Sequence, residues 1–303
     1  MRSRILLLLP VLLLGAVGCR EPLTWAPPVM DAGTRTIDVP ATGGVWYGLP
    51  ANQDCLIRMP AQPVSGEVKV AGCRDVKLVG GEWHSNADPC SVEANGRSES
   101  PALFLTSWSG VAHVEGVKIR GRGFSDGIWM TSTTPGSVSQ VEGSWVGGLA
   151  ACSEPISGYV GGWPDEHPNC FQTWAGPSVM RFDKVTCRTI YEGFNVDSAN
   201  WSGPGGVRYP AQSVDVRRTN VDLGERSPNG RHCFTVWSPY SPVPVHLDRA
   251  RCDPGSRDYA GAFAPRLDTN SAWWGGVLHG TAGGPDEIAP DEAGLGYRSP
   301  GYR

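Results

Sequence analysis

The stretch Asn169-Cys170-Phe171-Gln172-Thr173-Trp174, followed by Asp183 and Cys187, returns as His232-Cys233-Phe234-Thr235-Val236-Trp237, followed by Asp248 and Cys252. Shorter relatives lie around it: Cys55-Leu-Ile-Arg-Met59, Ala102-Leu-Phe-Leu-Thr106, Gly127-Ile-Trp-Met-Thr131 and Gly193-Phe-Asn-Val-Asp197. Each is a small residue followed by a strand-like alternation. Each leads through a turn into a second apolar run, at 68–78, 111–119, 138–146, 179–185, 214–221 and 245–247. The starts at 102, 127, 170, 193 and 233 are 25, 43, 23 and 40 residues apart. The short intervals fit one turn of a β-solenoid. The long ones fit a turn with an inserted loop, or two turns of which one is degenerate. One such unit cannot bury its own apolar face, so units stack and share a core. The competing arrangement, an antiparallel β-sandwich, gives no reason for the matched columns between 170 and 252.

Composition agrees with an all-β chain. Of 303 residues, 40 are Gly and 26 are Pro, which interrupt long helices. Coiled coils and helical bundles are excluded, and 40% hydrophobic content with 12 Trp argues against general disorder. Residues 1–18 read as a signal peptide: Arg2 and Arg4, then an apolar stretch too short to span a bilayer, then Ala16-Val17-Gly18-Cys19. This ending resembles the bacterial lipobox. The resemblance implies lipidation of Cys19 and, with Arg20 rather than Asp after it, an outer-membrane lipoprotein of the cell envelope. An ordinary secretory signal is the alternative. Removing residues 1–18 takes the formal charge from −4 to −6, because two Arg are lost. No basic run marks a nucleic-acid partner. The Pro-rich residues 19–35 read as a tether, 36–282 as the solenoid domain and 283–303 as a flexible tail.

Beyond Cys19, eight cysteines remain: Cys55, Cys73, Cys90, Cys152, Cys170, Cys187, Cys233 and Cys252. An even number in an exported chain reads as disulfides, and the absence of any C-x-x-C spacing argues against zinc. Cys170 and Cys233 share a column with one coil between them. They are about 9.6 Å apart in a parallel stack, too far to bridge. Pairing within coils is expected instead, as Cys55–Cys73, Cys170–Cys187 and Cys233–Cys252, which leaves Cys90 with Cys152.

The ladder of runs across 36–282 resembles the right-handed parallel β-helix, or pectate-lyase-like, superfamily. His167-Pro-Asn-Cys-Phe-Gln172-Thr-Trp, followed by Tyr191-Glu-Gly-Phe194, is similar to bacterial β-helix proteins with a His-x-x-x-x-Gln strand. The resemblance implies a single-stranded, right-handed solenoid with loop insertions and an activity on polysaccharide.

Alternation along each strand turns Ile128, Phe171, Phe194 and Phe234 inward, with Met130, Thr173, Val196 and Val236 two places on. Trp129, Gln172, Asn195 and Thr235 then point outward, with Thr131, Trp174, Asp197 and Trp237 in the next column. From the neighbouring strand His113, Gln140, Arg181, Asp215 and His246 face out. Aromatic plates suit sugar faces, and amides suit hydroxyls, so Trp129, Gln172, Trp174, Asn195 and Trp237 are candidate substrate-binding residues. Asp126, Glu192 and Asp197 are candidate carboxylates for glycoside hydrolysis. Ser125-Asp126-Gly127-Ile128 resembles part of the Asn-Thr-Asp-Gly motif of polygalacturonases, whose paired Asp and Gly-His-Gly have no counterpart here. For β-elimination, Arg181 or His167 is the candidate base, and the acidic residues are candidate Ca²⁺ ligands. Structural roles compete at every position: Trp packed under loops, a polar Gln–Asn ladder, and Asp183 and Asp248 satisfying corner amides. The expected partner is a polysaccharide or cell-surface glycan, bound by a monomer that meets the membrane only through a lipid anchor. A non-catalytic glycan-binding or structural surface lipoprotein is the alternative.

Overall fold

A computed structural model describes residues 21–87, 101–149, 168–197, 211–224, 232–236, 243–255, 263–264, 275–279 and 286–303. All regular structure among them is β. Strands β1 (Arg35–Asp38), β2 (Gly44–Leu49) and β3 (Cys55–Arg58) open the fold. β4 (Val68–Gly72), β5 (Val76–Val79) and β6 (Glu82–His84) make a three-sided coil. The pattern recurs as β7 (Leu103–Thr106), β8 (Val111–Glu115) and β9 (Lys118–Arg120), then as β10 (Ile128–Thr131), β11 (Val138–Glu142) and β12 (Trp145–Gly147). Next come β13 (Asn169–Thr173), β14 (Val179–Asp183) and β15 (Thr186–Arg188), then β16 (Glu192–Val196), β17 (Ser213–Arg217) and β18 (Asn220–Asp222). β19 (His232–Val236) precedes β20 (Val245–Asp253), which runs through the second and third sides as one strand. β21 (Phe263–Ala264) and β22 (Gly275–His279) follow.

The first sides form an eight-stranded sheet in the order β2-β4-β7-β10-β13-β16-β19-β21. The second and third sides form a 14-stranded sheet joined through β20. Neighbouring strands are parallel. The chain is therefore a parallel β-solenoid. Each of the intervals 25, 43, 23 and 40 is one coil. The long ones carry their extra residues after β12 and after β16.

Three apolar files meet inside. The first side contributes Ile128, Phe171, Phe194, Phe234 and Phe263, each opposite the next. The second contributes Val114, Val141, Phe182, Val216 and Leu247, and the third Ile119, Val146, Cys187, Val221 and Cys252. All are buried. Phe194 stacks on Phe234 with ring centroids 5.3 Å apart, and Phe182 meets Phe171 and Phe194 edge-on at 4.6 and 4.8 Å. Each buried ring contributes about 1.5–3 kcal/mol by leaving water, and each such pair about 0.5–1.5 kcal/mol more.

The disulfides Cys55–Cys73, Cys170–Cys187 and Cys233–Cys252 are formed, with Cα separations of 5.9, 5.8 and 5.9 Å. The β16 strand does lie between Cys170 and Cys233. Cys90 and Cys152 fall outside the described residues, as does Cys19. One run is corrected. Cys55-Leu-Ile-Arg-Met59 belongs to β3, in the 14-stranded sheet, not to the first side with the others. Alternation looks the same on any side of a coil, so only the pairing of β3 with β1 and β5 separates them.

The glycines that open the 127–131 and 193–197 runs have a packing reason. A Cβ on Gly127 would stand 2.6 Å from the Cys170 carbonyl oxygen, and one on Gly193 2.5 Å from that of Cys233. The next coil's backbone occupies the space. Gly193→Val is expected to cost about 1–3 kcal/mol through overpacking and to lower the Tm. Gly296→Val, where nothing lies within 4 Å of the added Cβ, should leave the Tm nearly unchanged. Equal Tm values for the two variants would contradict the stacking described here.

Candidate functional site

Two outward surfaces carry unusual chemistry. On the eight-stranded sheet one column runs Lys69, Phe104, Trp129, Gln172, Asn195, Thr235, each opposite the next. Phe104 stacks on Trp129 at 4.7 Å and 16°. Trp174 leans on Trp129 at 5.5 Å. The Lys69 ammonium sits 4.2 Å above the Phe104 ring and 5.5 Å from that of the exposed Tyr47. Trp129 Nε1 donates to Thr131 Oγ1 at 3.1 Å, which fixes the indole. Tyr47, Lys69, Phe104, Trp129 and Trp174 thus form an aromatic strip with one cation, running along the stack.

Beyond the strip the column turns polar. Gln172 points outward and is nevertheless buried. With its amide oriented to suit its neighbours, it donates to Asp126 Oδ1 at 3.3 Å and accepts from Trp174 Nε1. Asp126, itself buried, accepts from the Asn169 backbone N–H at 3.1 Å. Asp126, Gln172 and Trp174 are therefore one linked set. Asn195 Oδ1 and Thr235 Oγ1 are buried polar atoms with no hydrogen-bond partner among the described residues. Asp197 is half-buried one column over.

Glu192 lies opposite Asn169 on one side and His232 on the other. Its Oε1 is 3.1 Å from His232 Nδ1, with the two side chains 7% and 22% exposed. A buried carboxylate that holds one ring nitrogen leaves Nε2 as the proton-handling atom. The candidate residues from the sequence did not include His232 at this site. Its place in the column of Glu192, with each preceding a Phe by two residues, was the available signal. Asp126 and Glu192 are two strand spacings apart, about 9.6 Å along the stack. Asp126's bonds to a backbone amide and to Gln172 also differ from those of a free acid or base. Among the described residues no group of three His, Cys, Asp or Glu converges to hold a metal ion. His167 and Trp237 lie outside the described residues.

Arg181 lies on β14, in the other sheet, and is not brought together with Glu192 or Gln172. Its column runs Lys77, His113, Gln140, Arg181, Asp215, His246. Beside it runs Glu115, Glu142, Asp183, Arg217, Asp248. These residues point away from the core, yet His113, Glu115, Gln140, Glu142 and Asp183 are buried. The two chain ends cover them. Thr24 N donates to Asp183 Oδ2 at 2.8 Å and Trp25 N to Glu142 Oε1 at 3.0 Å. The Trp25 ring lies against Arg181 and Arg217, at 5.6 and 5.1 Å. Arg218 donates to Asp183 and to the Pro22 carbonyl. From the other end, Tyr297 and Tyr302 donate to Glu115 at 2.8 and 2.5 Å. Residues 21–26 and 286–303 are thus laid against the solenoid through named bonds.

The covered carboxylates titrate in opposite directions. Burial raises Glu115, but hydrogen bonds from His113, Tyr302, Ser299 and Tyr297 outweigh it and bring it down to about 2. Glu142 is pushed up to about 9, first by burial and then by the charges of Asp183 and Glu115. Its Oε2 has no partner among the described residues.

No protein-family model matches the chain, and no curated protein or solved structure is significantly similar to it.

The sign of the pH effect follows. Between the ordinary 4.5 and about 9, the folded protein keeps a proton on Glu142 that the unfolded chain releases. Stability from this group is full below pH 4.5 and declines as pH rises through that window. Glu142→Gln should therefore raise the Tm at pH 8 by a few degrees and change it little at pH 4. An equal shift at both pH values would remove Glu142 as the cause.

Proposed function

We propose that this chain is an exported cell-envelope protein, lipidated on Cys19, that acts on a polysaccharide held along the outward column of its eight-stranded sheet. The carrying observation is that column itself: Lys69, Phe104, Trp129, Gln172 and Asn195 in consecutive register, with Trp174 beside them. Half-exposed rings stacked from coil to coil offer a continuous apolar strip to a linear sugar chain. The amides further along offer hydrogen bonds to its hydroxyls. The solenoid is a right-handed parallel β-helix of pectate-lyase-like type, the hand that crossovers between parallel strands take in nearly all cases. The three disulfides among the described residues fit an oxidising compartment outside the cytoplasm.

Turnover is assigned to Glu192 and His232. Their 3.1 Å contact provides an oriented proton acceptor beside the amide column. Glycoside hydrolysis and β-elimination each include a step that needs one such proton acceptor. The non-catalytic reading, a glycan-binding surface lipoprotein, is favoured by one observation: Asp126 is committed to a backbone amide and to Gln172.

A panel of uronate and neutral glycans tests these readings. Trp129→Ala should weaken retention of the bound glycan about tenfold, or about 1.4 kcal/mol. His232→Ala and Glu192→Gln should abolish turnover while leaving retention within about threefold, a difference of under 1 kcal/mol. Unsaturated-uronate absorbance identifies a lyase, new reducing ends alone a hydrolase, and retention without turnover a binder. Retention that is indifferent to Trp129→Ala would sink the column as the binding surface.

A further inference from the structure

The outer surface of the second side is where the two chain ends meet. Glu21 is held by Arg303, and its other carboxylate oxygen lies 3.1 Å from Arg218. Its carbonyl accepts from Lys184 Nζ at 2.8 Å. Leu23 bridges in parallel to Tyr302: Leu23 N donates to the Gly301 carbonyl at 2.8 Å, and Arg303 N donates to the Leu23 carbonyl at 3.0 Å. Leu23 itself is buried. From Glu21 onward the chain is therefore fixed to the flank of the solenoid. Cys19 stands two residues upstream, at most about 7 Å of extended chain.

That distance leaves no room for a stalk. A lipid anchor on Cys19 draws the flank itself to the bilayer. The same flank carries apolar side chains open to solvent. Val29 is 92% exposed in the segment that crosses the second side, between Ala26 on Gln140 and Asp31 on Arg74. Val79, in the column of Glu115, is 39% exposed, and Leu295 is 44% exposed. The other large exposed hydrophobics among the described residues, Val45 and Tyr47, are on β2 of the eight-stranded sheet. A cleft of about 410 Å³ lies beside Val79 and Leu295, lined also by Met59, Tyr297, Arg58 and Lys77. Arg58 is paired with Asp38, whereas Lys77 has no ion pair among the described residues. Exposed apolar groups beside an unpaired cation match the interface of an anionic bilayer, where acyl chains and phosphate groups lie close together.

We infer that the outer surface of the second side, marked by Val29, Val79, Leu295 and Lys77, lies flat on an anionic lipid bilayer. This rests on the proposed lipidation of Cys19. The bilayer then covers one side of the coil, while the strip from Lys69 to Trp174 occupies another and stays open to polymer.

The test uses the full chain, processed by a bacterial host and reconstituted into vesicles of phosphatidylethanolamine and phosphatidylglycerol. Single fluorophores are attached at Val29→Cys, Leu295→Cys and Tyr47→Cys, and nitroxide-bearing lipids report proximity to the bilayer. Intact mass reports acylation of Cys19 in the same samples. The expected result is an acylated Cys19, with quenching at positions 29 and 295 at least twofold stronger than at 47. Acylated protein with equal or reversed quenching overturns the flank proposal and leaves the anchor standing. An unacylated Cys19 overturns both.

Discussion

Parallel, in-register stacking is the constraint on which the rest of this protein depends. Each coil places its residues directly over those of the coil before, about 4.8 Å away. A side chain is therefore judged by the column it joins. Phe171, Phe194, Phe234 and Phe263 can stack because every ring has an equivalent ring above or below it. At Gly127 and Gly193 the next coil's carbonyl already fills the space that a Cβ would take. Stacking also places the disulfides: Cys170–Cys187 and Cys233–Cys252 join the first side to the third within one coil, whereas Cys55–Cys73 joins β3 to the β4–β5 corner of the next coil.

Stacking makes surfaces as well as a core. An outward residue repeated over several coils becomes a strip, and the three sides have become chemically different strips. The first side presents rings, then amides, then the Glu192–His232 pair. The second presents three consecutive carboxylates, Glu115, Glu142 and Asp183, which would repel one another if left in this register alone. The chain ends, with Arg218 from the β17–β18 corner, relieve that conflict. Tyr297 and Tyr302 donate to Glu115, the Trp25 backbone donates to Glu142, and Arg218 neutralises Asp183. Glu142 remains the weak point, with burial and two neighbouring charges all acting to keep its proton on.

In the proposed reading the two strips meet different partners. The ring-bearing side presents the half-buried rings of Phe104, Trp129 and Trp174, packed against one another along the stack. The carboxylate side is occupied by residues 21–26 and 286–303, and its exposed large hydrophobics among the described residues are Val29, Val79 and Leu295. Polymer on one side and lipid on the other is the division of labour that this arrangement proposes.

The sequence by itself determined the repeating runs, the inward file of Ile128, Phe171, Phe194 and Phe234 and the outward column of Trp129, Gln172, Asn195 and Thr235, and its cysteine spacings pointed to three disulfide pairs. That each long interval is one coil was decided by the fold. Each of these sequence readings follows from local alternation or from matched spacing, which a linear pattern preserves. It placed Cys55-Leu-Ile-Arg-Met59 on the wrong side of the coil, because alternation carries no record of which side a strand occupies. Only the tertiary structure decided that Arg181 stands apart from Glu192, that His232 pairs with Glu192, and that residues 21–26 and 286–303 close over Glu115, Glu142 and Asp183. The covering ends have no period, and the carboxylates they cover, Glu115, Glu142 and Asp183, lie more than a hundred positions from the chain-end groups that bond them. Hydrogen bonds across such separations depend on where the wound chain brings its ends, which no local pattern encodes.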